Sequence, residues 1–233
     1  MILCCDTCTS HAVFVVATDD GHVVASSTVF HHRDLSVKFF GDVDEVLAKA
    51  GVTFDDITTL AVGMGPGSFT GVRVAVTTFR TLAQATGKRL VGVGTLPLFA
   101  YDALQALPPG AAVIALLPSR RGEVYGAVYD TSGEMQAPFA ATFTELAAKI
   151  DDLRTERSVV TVGPTDVLPA GFANVEQVVC ESPSPAAFAV LASAEVAAER
   201  WADPMALNPI YVVAPAISQH KDPRTTERLN QPG

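Results

Sequence analysis

The chain has 233 residues, with 16 Lys plus Arg against 25 Asp plus Glu and a formal net charge of -9 at pH 7. That balance argues against a free-standing nucleic-acid binder, which needs clustered cations to neutralise phosphates, so any contact with RNA is expected through a partner. The 48% hydrophobic and 18% charged residues are a globular composition, and no apolar run reaches the roughly 18 residues of a membrane-spanning helix. Asp6 interrupts the apolar N-terminus too early for a signal peptide, so a cytoplasmic protein that meets no membrane is expected.

In chain order, Ile2 to Cys5 is an apolar run, Ala12 to Thr18 is β-branched and aromatic, and Asp19-Asp20-Gly21-His22 is a hairpin turn leading into Val23-Val24-Ala25. The period then changes. From Asp34 to Ala50 the apolar residues Leu35, Phe39, Val43, Val46, Leu47 and Ala50 fall at helical spacing, and Gly51 is a stop signal. Val37 and Phe40 lie off that stripe, so the apolar face is wider than one core contact requires. A strand is expected at Ile57 to Val62, a second helix from about Ser68 to Gly87, and a strand at Leu90 to Val93.

The second half repeats this pattern. A constant offset of 112 residues lays Ile2–Cys5 on Ile114–Leu117, Ala12–Ala17 on Val124–Tyr129, and Gly21 on Gly133. Phe143 to Ile150 reads as helix, Ser158 to Val162 as strand and Ser184 to Trp201 as an Ala-rich helix. Two β-β-β-α-β-α units follow, 1–103 and 104–217, with the last helix expected to pack back on the first unit and 218–233 as a flexible tail. Such a pair suggests the α/β fold shared by actin, Hsp70 and sugar kinases (the RNase H-like or ASKHA fold). There, the turn after the first strand of each half grips phosphates, and acidic residues hold the metal.

The first such turn, Asp6-Thr7-Cys8-Thr9-Ser10, offers a carboxylate and hydroxyls; the second, Pro118-Ser119-Arg120-Arg121-Gly122, has no carboxylate before Glu123. Mg²⁺ requires oxygen ligands, so the second turn weakens a case for ATP chemistry, and Asp6 can equally cap its own turn. Gly65-Pro66-Gly67-Ser68-Phe69-Thr70-Gly71 lacks the Walker Lys and the third glycine of G-x-G-x-x-G. It is left as a tight strand-to-helix connection with, at most, a weak nucleotide or anion site formed by Asp6, Thr7, Thr9, Gly67 and Ser68. Cys5-Asp6-Thr7-Cys8 with His11 is formally a thiol or metal motif, but the following residues read as strand where a redox motif would open a helix, and a zinc pair is missing. His31 and His32 are adjacent where a helical metal pair needs one turn between them, and they are expected to be solvated or capping. The residues around Ser68 do not form a G-x-S-x-G elbow.

Several of these segments together resemble the TsaB (YeaZ) family. They are Ile2-Leu3 with Asp6-Thr7, His32-x-x-Leu35, the run Gly65-Pro66-Gly67-Ser68-Phe69-Thr70-Gly71-Val72-Arg73, Gly92-Val93 before Thr95-Leu96, and Arg121-Gly122-Glu123-Val124-Tyr125 with Tyr129. The resemblance implies a catalytically silent relative of TsaD, the threonylcarbamoyltransferase acting on the adenosine beside the tRNA anticodon. It further implies a heterodimer with TsaD or a homodimer through the two N-terminal helices, an ATPase, TsaE, joining the assembly, and tRNA engaged indirectly. No metal or cofactor of its own is expected, with a nucleotide at most at the interface of the complex. Leu35, Val37, Phe40, Thr70, Val72, Arg73 and Val76 are the expected interface. Two departures stand out: Cys8 where relatives carry a small or hydroxyl residue, and Val213 where a P-x-Y-hydrophobic-Arg segment would carry its Arg.

Overall fold

The computed structural model describes residues 1–31, 34–120, 122–172 and 174–212. Its first half runs β1 (Ile2–Asp6), β2 (His11–Ala17), β3 (Val23–Phe30), α1 (Leu35–Ala50), β4 (Thr59–Gly63), α2 (Phe69–Thr86), β5 (Arg89–Val93) and α3 (Thr95–Ala106). The second runs β6 (Ala112–Pro118), β7 (Glu123–Asp130), β8 (Gly133–Thr142), α4 (Phe143–Arg154), β9 (Val159–Gly163), β10 (Glu176–Val179) and α5 (Pro185–Ala197).

Each half folds its strands into one mixed sheet, ordered β3-β2-β1-β4-β5 in the first and β8-β7-β6-β9-β10 in the second. In both, the three consecutive strands pair antiparallel and the crossover strands add in parallel. The repeat expected from the sequence is therefore a repeat of topology, and the fold is the two-subdomain actin-like class. The ladder registers differ at the first turn: Asp6 sits opposite Val13, seven positions on, whereas Pro118 sits opposite Val124, six positions on. The second turn is tighter by one residue.

Strand alternation sorts the apolar residues onto two faces. Leu3 and Cys5 of β1 join Phe14, Phe39, Val43, Val46, Val72, Val76 and Phe79 beneath α1 and α2. Ile2 and Cys4 face the other way, against Phe188, Ala189 and Ala192 of α5. In the second half, α3 packs on one face of the sheet through Leu96, Phe99 and Ala103, and α4 covers the other through Leu146 and Ile150. The last helix of each half thus packs on the other half's sheet, and α3 also sends Leu98 to the α5 face of the first sheet. Helix ends follow local chemistry: Gly51 and Gly87 close α1 and α2 in the left-handed conformation, and Thr142 with Glu145 forms a capping box for α4.

Two elements go beyond the expected β-β-β-α-β-α units, α3 and β10, while β8 is the third strand that the repeat implies without bounds. The Ala-rich helix also stops at Ala197, short of Trp201. Of the sequence segments singled out above, His32, Arg121, Val213 and the tail 218–233 lie outside the described residues.

Candidate functional site

The β1–β2 turn is threaded into the start of α2. Asp6 is fully buried; one carboxylate oxygen accepts the Cys8 N–H at 2.8 Å and the other accepts the Thr95 hydroxyl at 2.7 Å. Thr95 in turn accepts the Gly65 N–H at 3.1 Å, so one side chain links the turn, the Gly65-Pro66 bend and the first turn of α3. Burial pushes the Asp6 carboxyl above its ordinary range, against the pull of its hydrogen bonds from Thr95 and Cys8. The Thr7 hydroxyl donates to the Gly71 carbonyl at 2.7 Å, and the Ser68 N–H donates to the Cys8 carbonyl at 2.7 Å. A Cβ on Gly71 would overlap the Thr7 carbonyl oxygen, and one on Gly67 the Cys8 carbonyl oxygen. The glycines of the signature therefore admit a neighbouring backbone. Ser68 caps α2 with its side chain, accepting the Gly71 N–H at 3.2 Å.

Between the halves lies a cleft of about 860 Å³, lined from the first half by Thr9, Ser10, Gly67 and Ser68 and from the second by Ser119, Arg120 and Tyr125. Of the residues expected at an anion site, Thr7, Thr9, Gly67 and Ser68 line this cleft, although Thr7 is largely buried with its hydroxyl held by Gly71, and Asp6 does not line it. Gly122 holds a positive φ of 81° in the second turn, which is closed by the Glu123 N–H donating to the Arg120 carbonyl at 2.9 Å. Tyr125 then aims into the cleft from β7.

The second surface is the outer face of α1 and α2. Val37 is 84% exposed, Phe40 57% and Phe69 47%, and Thr70 and Arg73 are exposed beside them. Phe39, Phe40, Phe69, Arg73 and Thr77 line a groove of about 410 Å³ between the two helices. Arg73 lies over the Phe69 ring at 5.1 Å from its centroid. The expected interface needs one correction: Val72 and Val76 are buried against the first sheet, because α2 turns its 72, 75, 76, 79 and 83 positions inward. Its outward residues are Phe69, Thr70, Arg73 and Thr77. Leu35 is half-buried and packs on the same core.

His31 corrects another expectation. Its imidazole is 5% exposed, with Nδ1 3.3 Å from an Asp34 oxygen and Nε2 2.9 Å from an Asp42 oxygen, so it fastens the entry of α1. Lys38 pairs with Asp34 at 2.6 Å and holds that carboxyl well below its ordinary range. Cys4, Cys5 and Cys8 are buried, and burial pushes all three thiols up, away from the reactive thiolate. Among the described residues no group of three His, Cys, Asp or Glu side chains is placed to hold a metal ion, and no helix is long and apolar enough to cross a membrane.

Two like-built sheets around a central cleft, with the first turn locked into a helix start, make this a protein of the actin-like class. Comparison with known proteins narrows the class. A family model described as "TsaD: tRNA N6-adenosine threonylcarbamoyltransferase" matches residues 28–201. The chain is 37% identical over 129 residues to the Escherichia coli tRNA threonylcarbamoyladenosine biosynthesis protein TsaB, covering 55% of this chain and 54% of that one. It is 38% identical over 88 residues to the tRNA N6-adenosine threonylcarbamoyltransferase of Moorella thermoacetica, covering 38% of this chain and 25% of the enzyme. A Pseudomonas aeruginosa crystal structure described as similar to peptidase YeaZ superposes with a TM-score of 0.73 at 23% identity, over 91% of this chain and 99% of that one. The chain belongs to the TsaB/YeaZ family, within the TsaD-type domain family, and its match to the E. coli relative spans about half of each chain.

Proposed function

We propose that this chain is a non-catalytic subunit in the biosynthesis of threonylcarbamoyladenosine in tRNA, docking through the outer face of α1 and α2 onto a TsaD-type threonylcarbamoyltransferase. The observation that carries this reading is the exposed apolar face itself: Val37, Phe40 and Phe69 leave large side chains in water, which marks an interaction surface. The TsaD-type family model covers residues 28–201, α1 and α2 included, so the transferase would offer a related helix pair and the complex would be pseudo-symmetric. The same face would pair two copies of this chain when the transferase is absent. In this reading an ATPase of the TsaE type joins through the complex, tRNA is held mainly by partners, and any nucleotide sits at the interface of the assembly. The buried, fully engaged Asp6 supports a non-catalytic role, since it is committed to holding the fold.

The test is binding between the purified chain and purified TsaD of the same organism, followed by gel filtration. Phe40→Glu should keep its melting temperature and weaken binding by about 30-fold or more, the size of an interface hot spot. Val76→Glu, by contrast, places a charge in the core and should unfold the protein. Unchanged binding by Phe40→Glu would refute this face. A second reading, a nucleotide-dependent enzyme, draws on the 860 Å³ cleft facing the α2 N-terminus; sustained ATP hydrolysis by the purified chain would favour it.

A further inference from the structure

After α5 the chain does not end at the sheet it covers. Residues 202–211 run back across the first half: the Ala202 N–H donates to the Leu90 carbonyl at 2.8 Å, and the Ile210 N–H to the Met64 carbonyl at 2.8 Å. Ala202 and Leu207 pack on the core beneath α1 and α2. Between them Asp203 builds a turn, accepting the Met205 N–H on its side chain at 2.8 Å and the Ala206 and Leu207 N–H groups on its carbonyl at 3.0 and 2.9 Å. The carbonyls of Pro204 and Met205 are held from α2, where Arg80 donates to the first from Nε at 2.6 Å and to the second from a terminal nitrogen at 2.9 Å. A planar guanidinium fork suits two fixed acceptors in a way no Lys could reproduce.

What this strap delivers is Tyr211. Its ring lies 6.0 Å from that of Phe69, at 42°, within the range of favourable aromatic pairs. It remains 44% exposed. Phe69 also carries the Arg73 guanidinium, 5.1 Å from its centroid, so Tyr211 and Arg73 share Phe69 as a common neighbour. Phe69 lines both the cleft between the halves and the groove between α1 and α2. Tyr and Arg are also the residue types that dominate interface energetics.

Building on the docking face proposed above, we propose that residues 202–211 are an integral part of that face: Tyr211 is a partner-contact residue for the TsaD-type subunit, and Arg80 is the residue that positions it. The strap extends the surface from the helix pair to the mouth of the cleft. Arg80 touches no partner itself and acts through the two carbonyls it holds.

The experiment is titration of purified TsaD with wild type, Tyr211→Ala, Tyr211→Phe, Arg80→Met and the Tyr211→Ala/Arg80→Met double variant, each with its melting temperature. Tyr211→Ala should bind about three- to tenfold more weakly, the worth of one aromatic pair, with unchanged melting. Tyr211→Phe should bind like wild type. Arg80→Met should weaken binding comparably and open the 198–211 segment to protease, and the double variant should bind no worse than the weaker single, because both act through one ring. Wild-type binding by Tyr211→Ala, or full additivity in the double variant, would overturn the inference. Should Arg80→Met fail to fold, the Ala and Phe variants at Tyr211 still decide it. A wild-type chain that binds no TsaD at all would remove the functional reading and this inference together, an outcome distinct from a wild type that binds while Tyr211→Ala binds equally well.

Discussion

The turns that end the first strand of each half occupy equivalent places in the topology and are built in opposite ways. The first runs from Asp6 to Ser10 and is fastened at each of its first three residues: Asp6 to Cys8 and Thr95, Thr7 to Gly71, and Cys8 to Ser68. The second is one residue tighter, leaves Pro118 and Arg120 exposed, and is closed mainly by backbone bonds between its own ends. Here the first turn is held inside the fold at Asp6, Thr7 and Cys8 and reaches the cleft mainly through Thr9 and Ser10, whereas the second reaches it through Ser119 and Arg120. Duplicated topology therefore does not preserve duplicated chemistry; what each turn touches decides its role.

The contrast can be broken most severely at Gly71. Gly71→Ala sets a methyl against the Thr7 carbonyl with only backbone to yield, and the destabilisation should be on the order of 3 kcal/mol. In a chain of this size that is a fall of about 6–12 °C in melting temperature. Asp6→Ala comes next. It strips the partners from the buried Cys8 N–H and Thr95 hydroxyl, for a loss of about 2–4 kcal/mol seen in denaturant titration.

Asp6→Asn sharpens the same point through pH. Burial raises the Asp6 pKa above its ordinary value of 3.8. Between 3.8 and the raised value the folded chain holds more of this proton than the unfolded chain does, so this group's contribution is greatest at low pH. It declines as pH rises through the folded pKa and then levels off. The melting temperature of wild type minus that of Asp6→Asn should therefore fall across this window and flatten above it; a constant difference would mean that the carboxyl titrates alike in both states. The smallest effect belongs to the second turn. Ser119→Ala, at the rim of the cleft, should shift stability by less than about 0.5 kcal/mol, and a larger loss would show that turn to be structural as well.

Much of the architecture was legible in the residues. The β-branched and aromatic run of β2, which is buried on both faces, the helical stripe of α1 with its Gly51 stop, and the cap at Ser68 all read directly from the sequence. Helix α3 did not, because Thr95-Leu96-Pro97-Leu98-Phe99-Ala100 is apolar around most of its circumference and carries no periodic signal. Strand β8 was implied by the repeat, but its bounds were obscured by Pro138, which lacks a ladder N–H and lies where the β7–β8 register is irregular on the sheet edge. Strand β10 is four residues long and mostly exposed.

The site was less legible, for two reasons. The inward spacing of Val72, Ala75, Val76 and Phe79 was present in the sequence and sufficed to place Val76 in the core, but the surplus apolar residues of α1 drew it to the surface. No local pattern, in contrast, could join Asp6 to Thr95 or Phe69 to Tyr211, since these contacts are made by residues 89 positions apart in one case and between separate elements in the other.

The exchange of α3 and α5 between the two sheets also orders events during synthesis. One face of the first sheet is covered by Phe188, Ala189 and Ala192, which leave the ribosome only after nearly the whole second half has been made. Until then Ile2, Cys4, Val13, Val15 and Val91 have only Leu98 and Tyr101 of α3 from their native cluster beside them, and the rest of α3 lacks the second sheet. The nascent first half must therefore persist with an open apolar surface while the second is translated, at roughly 5–20 residues per second. The residues that close this face of the first sheet are thus among the last of the described chain to be made.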